Sequence, residues 1–145
     1  MFDDVICTYS LEHFVNPKKV IEEMVRVCKV GGKIIIMSPA WDNIFSYPPS
    51  LKTKMKSRFY RIKYIIKRYL NYFFNEPTMI KLNNLDMSTY ESDIDTTFII
   101  TIGGVKKIFQ SNNLEIIYLK TEKKWYNKLF ARYWNMPLFI VGKKV

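Results

Sequence analysis

The stretch FDDVICTYSLEHFVNPKKVIEEMVRVCKVGGKIIIMSP, residues 2–39, decides the fold. Phe2 to Tyr9 is a short apolar run that ends in polar residues, and Lys33 to Ser38 is a continuous apolar run bounded by glycine and proline. Both runs predict strands, the second of them covered on both faces of a sheet. Between them, Pro17 to Lys29 has a helical period. Strand, helix and buried strand predict a βαβ unit whose strands are adjacent and parallel.

The predicted helix has clear start and stop signals. Asn16 suits the N-cap and Pro17 the first helical position, while Gly31 and Gly32 are expected to end the helix. Its apolar positions recur at i, i+3, i+4 and i+7, and they are Ile21, Met24, Val25 and Cys28. We expect this stripe to pack against both strands.

Composition and length favour one α/β domain. The chain has 145 residues, of which 48% are hydrophobic, and this is enough for one core.

The sequence has no apolar run of about 18 residues, and the acidic pair Asp3 and Asp4 stands where a secretory signal is basic, so we expect a cytoplasmic protein. Cys7 and Cys28 are typical of small buried hydrophobes. With one His and no CxxC pair, no zinc site is expected.

Residues 51–74 predict a basic amphipathic helix. They hold eight basic and no acidic residues, in a chain of net charge +10. The apolar stripe, expected to face the domain, is Leu51, Met55, Phe59, Ile62, Ile66, Tyr69 and Phe73. The outer face is expected to carry Lys56, Arg61, Lys63, Lys67 and Arg68, with Tyr60 and Tyr64 beside them. Such a face suits an anionic substrate, an anionic lipid surface, phosphates with stacked bases, or only water.

The remaining predicted elements lie towards the C-terminus. They are an irregular connection at 75–95, a short strand at Phe98 to Ile102, a helix at Gly104 to Gln110, a strand at Leu114 to Thr121, an excursion at Trp125 to Trp134 and a strand at Pro137 to Val145. We expect the last two strands to pair antiparallel, with the final strand next to Lys33 to Ser38.

Residues 2–39 resemble the middle of a class I S-adenosylmethionine-dependent methyltransferase, of the type 11-like group. The shared features are a strand ending near Leu-Glu-His, an Asn-Pro helix start, a Lys-x-Gly-Gly helix end and a buried strand ending in Ser-Pro. GGVKKIFQSNNLEIIYLK and MPLFIVGKKV resemble the family's late helix with its sixth strand, and its seventh strand. The resemblance implies a Rossmann-like sheet of strands four to seven, with residues 41–97 as a substrate-side insertion.

The family's donor-binding features have no counterpart in the sequence. The five glycines are Gly31, Gly32, Gly103, Gly104 and Gly142, and none stands in a strand-GxGxxG-helix context. The resemblance therefore implies the C-terminal half of a methyltransferase domain, from a truncated gene, a fragmentary gene model or a degenerate copy. A missing N-terminal half is an expected partner. The edge of the first strand is expected to be open to self-association.

The resemblance also implies where the methyl donor lies. It places Cys7, Thr8, Tyr9 and Leu11 beside the methionine end of S-adenosylmethionine, mostly through their backbone. For the side chains of Cys7 and Leu11, core packing is an equal alternative.

Glu12 and His13 receive a separate interpretation. Some family members bind a divalent cation through Glu-x-x-Glu-His, but here Tyr9 replaces the first carboxylate, and magnesium requires an oxygen-rich site. We therefore expect no metal, and a turn that leads into the helix. His13 remains a candidate catalytic base.

Two functions follow from these patterns. The first is S-adenosylmethionine-dependent methyl transfer to an unidentified acceptor by a complete domain, with this chain inactive alone. The second is a non-enzymatic remnant or interaction module that binds anionic lipid or nucleic acid through the basic helix.

Overall fold

The computed structural model describes residues 1–42, 45–74, 80–82, 97–120 and 136–145. The predicted excursion at Trp125 to Trp134 and most of the predicted connection at 75–95 lie outside these ranges. The strands are β1 (Phe2–Thr8), β2 (Cys28–Ala40), β3 (Ile80–Lys81), β4 (Phe98–Ile99), β5 (Leu114–Lys120) and β6 (Met136–Lys144). The helices are α1 (Pro17–Val27), α2 (Lys52–Met55), α3 (Arg58–Phe74) and α4 (Ile102–Ser111), with short 3-10 turns at Leu11–His13 and Pro49–Leu51.

The main sheet has the order β1-β2-β6-β5. Strand β1 is parallel to β2, with Cys7 opposite Ile36. Strand β6 pairs antiparallel with β2 on its other edge and with β5 beyond. Strands β3 and β4 form a separate antiparallel pair. The predicted βαβ unit, the C-terminal antiparallel pair and the position of the last strand are confirmed.

Helix α1 begins as its sequence predicts but ends earlier. The Asn16 side chain accepts a hydrogen bond from the Lys19 amide at 3.1 Å. The expected end at Lys29 is wrong, because Cys28 has an extended backbone and already pairs opposite Phe2 as the first residue of β2. The pairing of β1 with β2 is irregular at this point, and Gly31 has a φ of 80°. Gly31 and Gly32 therefore lie within β2, where its pairing with β1 is distorted, and they do not end the helix.

The core lies on one face of the main sheet. Residues of α1 and α4 share a single buried cluster with alternate residues of the strands, among them Ile34, Ile36 and Ile140. Ile21, Met24 and Cys28 are buried as predicted, and Val25 is half-buried. On the opposite face of the sheet, Ile6 is 62% exposed. The described helices α1 and α4 therefore cover the same side of the sheet.

The basic segment differs from its prediction in two ways. The expected continuous helix is divided after α2, and the Ser57 hydroxyl accepts a hydrogen bond from the Tyr60 amide at 3.4 Å as α3 begins. Leu51 and Met55 are buried as expected, but the rest of the described stripe is not. Phe59, Ile62, Ile66 and Tyr69 of α3 are all exposed. The expectation that this stripe faces the domain is wrong for α3.

Gly142 lies where β6 meets α4, so replacing it tests the core directly. An added Cβ would lie 2.7 Å from the ring of Phe109, which is fully buried. We expect Gly142→Ala to lower the free energy of unfolding by about 1–3 kcal/mol, because the packed ring must shift. Urea denaturation measures this. Lys143→Thr, at the exposed neighbouring position, should change the value by less than about 0.5 kcal/mol, and an equally stable Gly142→Ala protein would contradict the packing.

Candidate functional site

The carboxyl ends of β1 and β2 meet at the predicted donor site. The Tyr9 amide donates to the Met37 carbonyl at 2.7 Å, which continues the pairing of the two strands past Thr8. Thr8 and Tyr9 are exposed there. Cys7 and Leu11 belong to the core cluster, so their side chains pack inside and leave only their backbone available to a ligand. The four residues therefore lie together at the strand end. The side chains of Thr8 and Tyr9 are exposed there, whereas those of Cys7 and Leu11 are buried.

Tyr9 makes the turn out of β1. Its φ of 47° is left-handed, a conformation that a bulky residue seldom adopts. The turn leads into the 3-10 turn at Leu11–His13 and leaves the Tyr9 ring 54% exposed. Strained backbone of this kind persists only where neighbouring contacts fix it, and here the hydrogen bond to Met37 does so. The strand end is therefore an accessible backbone segment that is hydrogen-bonded to β2.

Glu12 is fully buried behind this turn and joins three segments. Its Oε2 accepts a hydrogen bond from the Ser38 hydroxyl at 2.8 Å, at the end of β2. Its backbone carbonyl accepts from the Thr97 amide at 2.9 Å and from the Thr97 hydroxyl at 3.0 Å, just before β4. A buried carboxylate needs such donors. These contacts support the interpretation of Glu12 as part of a turn, although neither its burial nor its Ser38 partner could be inferred from the residues around it.

His13 lies beside Glu12 at the edge of the site. Its Nε2 is 3.7 Å from Glu12 Oε1, and its side chain is 25% exposed. Among the residues that the structure describes, Glu12 Oε1 is a buried oxygen without a hydrogen-bond donor. The arrangement gives His13 a neighbouring carboxylate and access to solvent, as a base requires. Its catalytic role stays a prediction.

Within the described ranges, no group of three or more His, Cys, Asp or Glu side chains could hold a metal ion. In the same part of the chain, no helix is both long enough and apolar enough to span a membrane.

Arg68 is a buried anchor that sequence reasoning placed on the outer face of the basic helix. It is 6% exposed, and its guanidinium donates to the Ser46 carbonyl at 3.0 Å, to the Tyr64 hydroxyl at 3.1 Å and to the Trp41 carbonyl. The expectation of an outward Arg68 is wrong because these carbonyls need a donor in a region closed to water. No local signal marks Arg68 as buried, since it lies opposite the apolar stripe on the helix, where a basic side chain is expected to face solvent.

Tyr64 and Trp41 complete this anchor. The Tyr64 hydroxyl donates to the Ser46 carbonyl at 2.9 Å. Burial raises the pKa of Tyr64, and the nearby Arg68 charge partly opposes that rise. Trp41 is fully buried, and its amide donates to the Ile100 carbonyl at 2.9 Å. Helix α3 is thereby fixed to the segment that follows the carboxyl end of β2.

Three comparisons with known proteins find similarity to methyltransferases. Residues 1–36 match the model of a methyltransferase domain family. A demethylmenaquinone methyltransferase of Paenarthrobacter aurescens (strain TC1) is 33% identical over 67 residues, which cover 39% of this chain and 26% of that protein. A crystal structure of a SAM-dependent methyltransferase from Methanosarcina mazei superposes with a TM-score of 0.52 at 17% identity, over 99% of this chain and 59% of the other. The chain thus spans about a quarter of the curated relative and under two thirds of the solved structure.

The anchor can be tested by removing the guanidinium. We expect Arg68→Met to speed amide hydrogen exchange in α3 more than tenfold, because each lost hydrogen bond from a charged donor costs roughly 1.5–3 kcal/mol. Methionine keeps most of the apolar stem. Hydrogen-exchange mass spectrometry measures the rates.

Lys67→Met is the matched control, since Lys67 is the exposed neighbour on the same helix. It should leave the exchange rates of α3 nearly unchanged. Equal effects from the two substitutions would show that Arg68 does not anchor the helix.

Proposed function

We propose that this chain, which has the Rossmann-like fold of a class I S-adenosylmethionine-dependent methyltransferase domain, takes part in methyl transfer from S-adenosylmethionine as one part of a complete domain. The observation that supports this most is the parallel pairing of β1 and β2, whose carboxyl ends meet at Tyr9 and Met37. Ligands of open α/β sheets bind outside the carboxyl ends of the strands. The family match over residues 1–36 includes β1, α1 and most of β2.

The exposed strand end fits the methionine end of the donor. Thr8 and Tyr9 offer backbone groups and accessible side chains there, while Cys7 and Leu11 contribute backbone only, because their side chains are in the core. When bound, S-adenosylmethionine supplies a methyl group on a positively charged sulfur. The chain's own task is to position the two reactants in line and to exclude water. His13, a quarter exposed beside Glu12, is the candidate base for an acceptor that must lose a proton.

The adenosyl end of the donor is assigned to a part of the domain beyond residues 1–145. No GxGxxG pattern follows a strand in the sequence, and the family uses such a loop to approach the donor closely. The chain spans 59% of the similar crystal structure. Strand β1 is an edge strand, and Phe2 and Ile6 on it are each more than 60% exposed. An open edge with apolar side chains supports pairing with an N-terminal half, and it also favours self-association when that half is absent.

A second candidate function is a non-enzymatic interaction module. The observation in its favour is the exposed apolar stripe of α3, next to basic side chains.

A titration of the 145-residue chain with S-adenosylmethionine tests the first proposal. We expect no calorimetric heat at millimolar donor and no methyl transfer to lipid, RNA or small-molecule acceptors, because most of the donor's buried surface is missing and association entropy is not offset. Nuclear magnetic resonance detects weaker binding. In those spectra the amides of Cys7, Thr8, Tyr9 and Leu11 should shift with the donor.

Methionine and adenosine serve as the two halves of the donor in control titrations. Methionine should shift the same four amides, whereas adenosine should not. Unchanged amides at the strand end, even at the highest donor concentration, would contradict the proposed site. A saturable calorimetric isotherm would instead contradict the assignment of the adenosyl site to another part of the domain.

A further inference from the structure

Helix α3 presents two opposite faces. Phe59 is 79% exposed, Ile62 51%, Ile66 52% and Leu70 46%. These four residues, which we name the outer stripe, follow a helical spacing of three or four. Arg68 lies about 180° around the helix from Phe59, and it is buried against the Trp41 and Ser46 carbonyls. The anchor therefore fixes the rotation of α3 so that the outer stripe points away from the protein.

Basic side chains border the outer stripe on both sides. With about 100° per residue, Lys63 and Lys67 lie on one side of the stripe and Arg58 lies on the other, while Arg61 lies about 160° around the helix from Phe59, near Arg68. All four side chains are exposed. No acidic residue occurs between positions 51 and 74. An apolar face with a cationic border is the pattern of a helix that lies in the interface of a lipid bilayer.

We propose that α3 is a docking surface for an anionic lipid bilayer. The outer stripe enters the boundary between headgroups and acyl chains, and the bordering side chains of Arg58, Lys63 and Lys67 contact lipid phosphates. Each exposed basic residue gains from the negative surface potential of such a bilayer. The helix lies in the plane of the interface and does not cross it. This proposal is independent of the methyl-transfer proposal.

Two other binding partners for the α3 surface, a second copy of the chain and a nucleic acid, agree less well with the structure. A second copy packed stripe to stripe would bring two basic borders together without a compensating acid. A nucleic acid would bind the cations but leave the outer stripe in water. The rings expected to stack on bases are half-buried, and the Tyr64 hydroxyl is bonded to Ser46. An anionic bilayer is the occupant that uses both the apolar and the cationic features.

Vesicle co-sedimentation of the full 145-residue chain tests the proposal. We expect the chain to bind vesicles of phosphatidylcholine with phosphatidylglycerol, and to bind pure phosphatidylcholine much less. Ile62→Ser with Ile66→Ser should weaken binding by roughly tenfold or more, because two apolar side chains no longer enter the bilayer. Lys63→Glu with Lys67→Glu should weaken binding similarly. Added salt should reduce the binding of the unaltered chain.

Substitutions of the same kind outside α3 show whether a loss of vesicle binding is specific to α3. Ile117→Ser changes an isoleucine on β5 that is 45% exposed, and Lys19→Glu with Lys120→Glu reverses two exposed lysines outside α3. Both control proteins should bind anionic vesicles to within about twofold of the unaltered chain, since the charge reversals lie away from the docking face. Circular dichroism establishes that each variant is folded, and Phe59→Ser provides a second stripe variant if the double serine protein does not fold.

Three outcomes would overturn the proposal. The first is failure of the unaltered chain to bind anionic vesicles. The second is RNA binding that the glutamate substitutions abolish and the serine substitutions leave intact, without vesicle binding. The third is a concentration-dependent dimer in gel filtration that the serine substitutions dissolve, again without vesicle binding.

Discussion

Strand β2 is hydrogen-bonded along both edges, and the other strands of the main sheet take their positions from it, either directly or through β6. Its one neighbour, β1, is parallel and its other neighbour, β6, is antiparallel. Ile34 and Ile36 within it are fully buried. The parallel pairing of β1 and β2 requires a crossover connection, which α1 supplies. The antiparallel neighbour is β6, the C-terminal strand. The strand order then follows from the pairing of β2 with β1 and β6, and of β6 with β5.

The carboxyl end of β2 also organises the candidate functional region. Ser38 holds the buried Glu12 carboxylate, and Trp41, just after the strand, accepts a hydrogen bond from Arg68. The first contact fixes the turn that follows β1, and the second fixes α3. The predicted donor site and the proposed membrane surface therefore depend on neighbouring parts of one segment. Changes in that segment should reach both.

Much of the fold could be predicted because its signals are local. The period of α1, its Asn16 cap and the apolar run of β2 each depend on residues close in sequence. The helix end at Val27 could not be predicted in this way, since Cys28 enters the sheet through its pairing with Phe2. That contact is far along the chain, and tertiary pairing overrides the local helical period.

The candidate site could likewise be predicted only in part from the sequence. Its location at Cys7 to Leu11 came from a family resemblance, and the structure places these residues at a strand end. The outward direction of the α3 stripe was missed because periodicity identifies an apolar face without saying what it meets. The direction is set by Arg68 and the carbonyls of Trp41 and Ser46, at least 22 residues earlier. A buried cation among eight basic residues in one segment has no distinguishing local pattern.

Strand β2 pairs in parallel with β1 and antiparallel with β6. Nuclear Overhauser contacts between backbone protons of the 145-residue chain test this most directly. We expect contacts from Val5, Ile6 and Cys7 to Ile34, Ile35 and Ile36 in ascending order, and contacts from β6 to β2 in descending order. A descending order between β1 and β2, or contact between β1 and β6, would contradict the methyltransferase-type sheet.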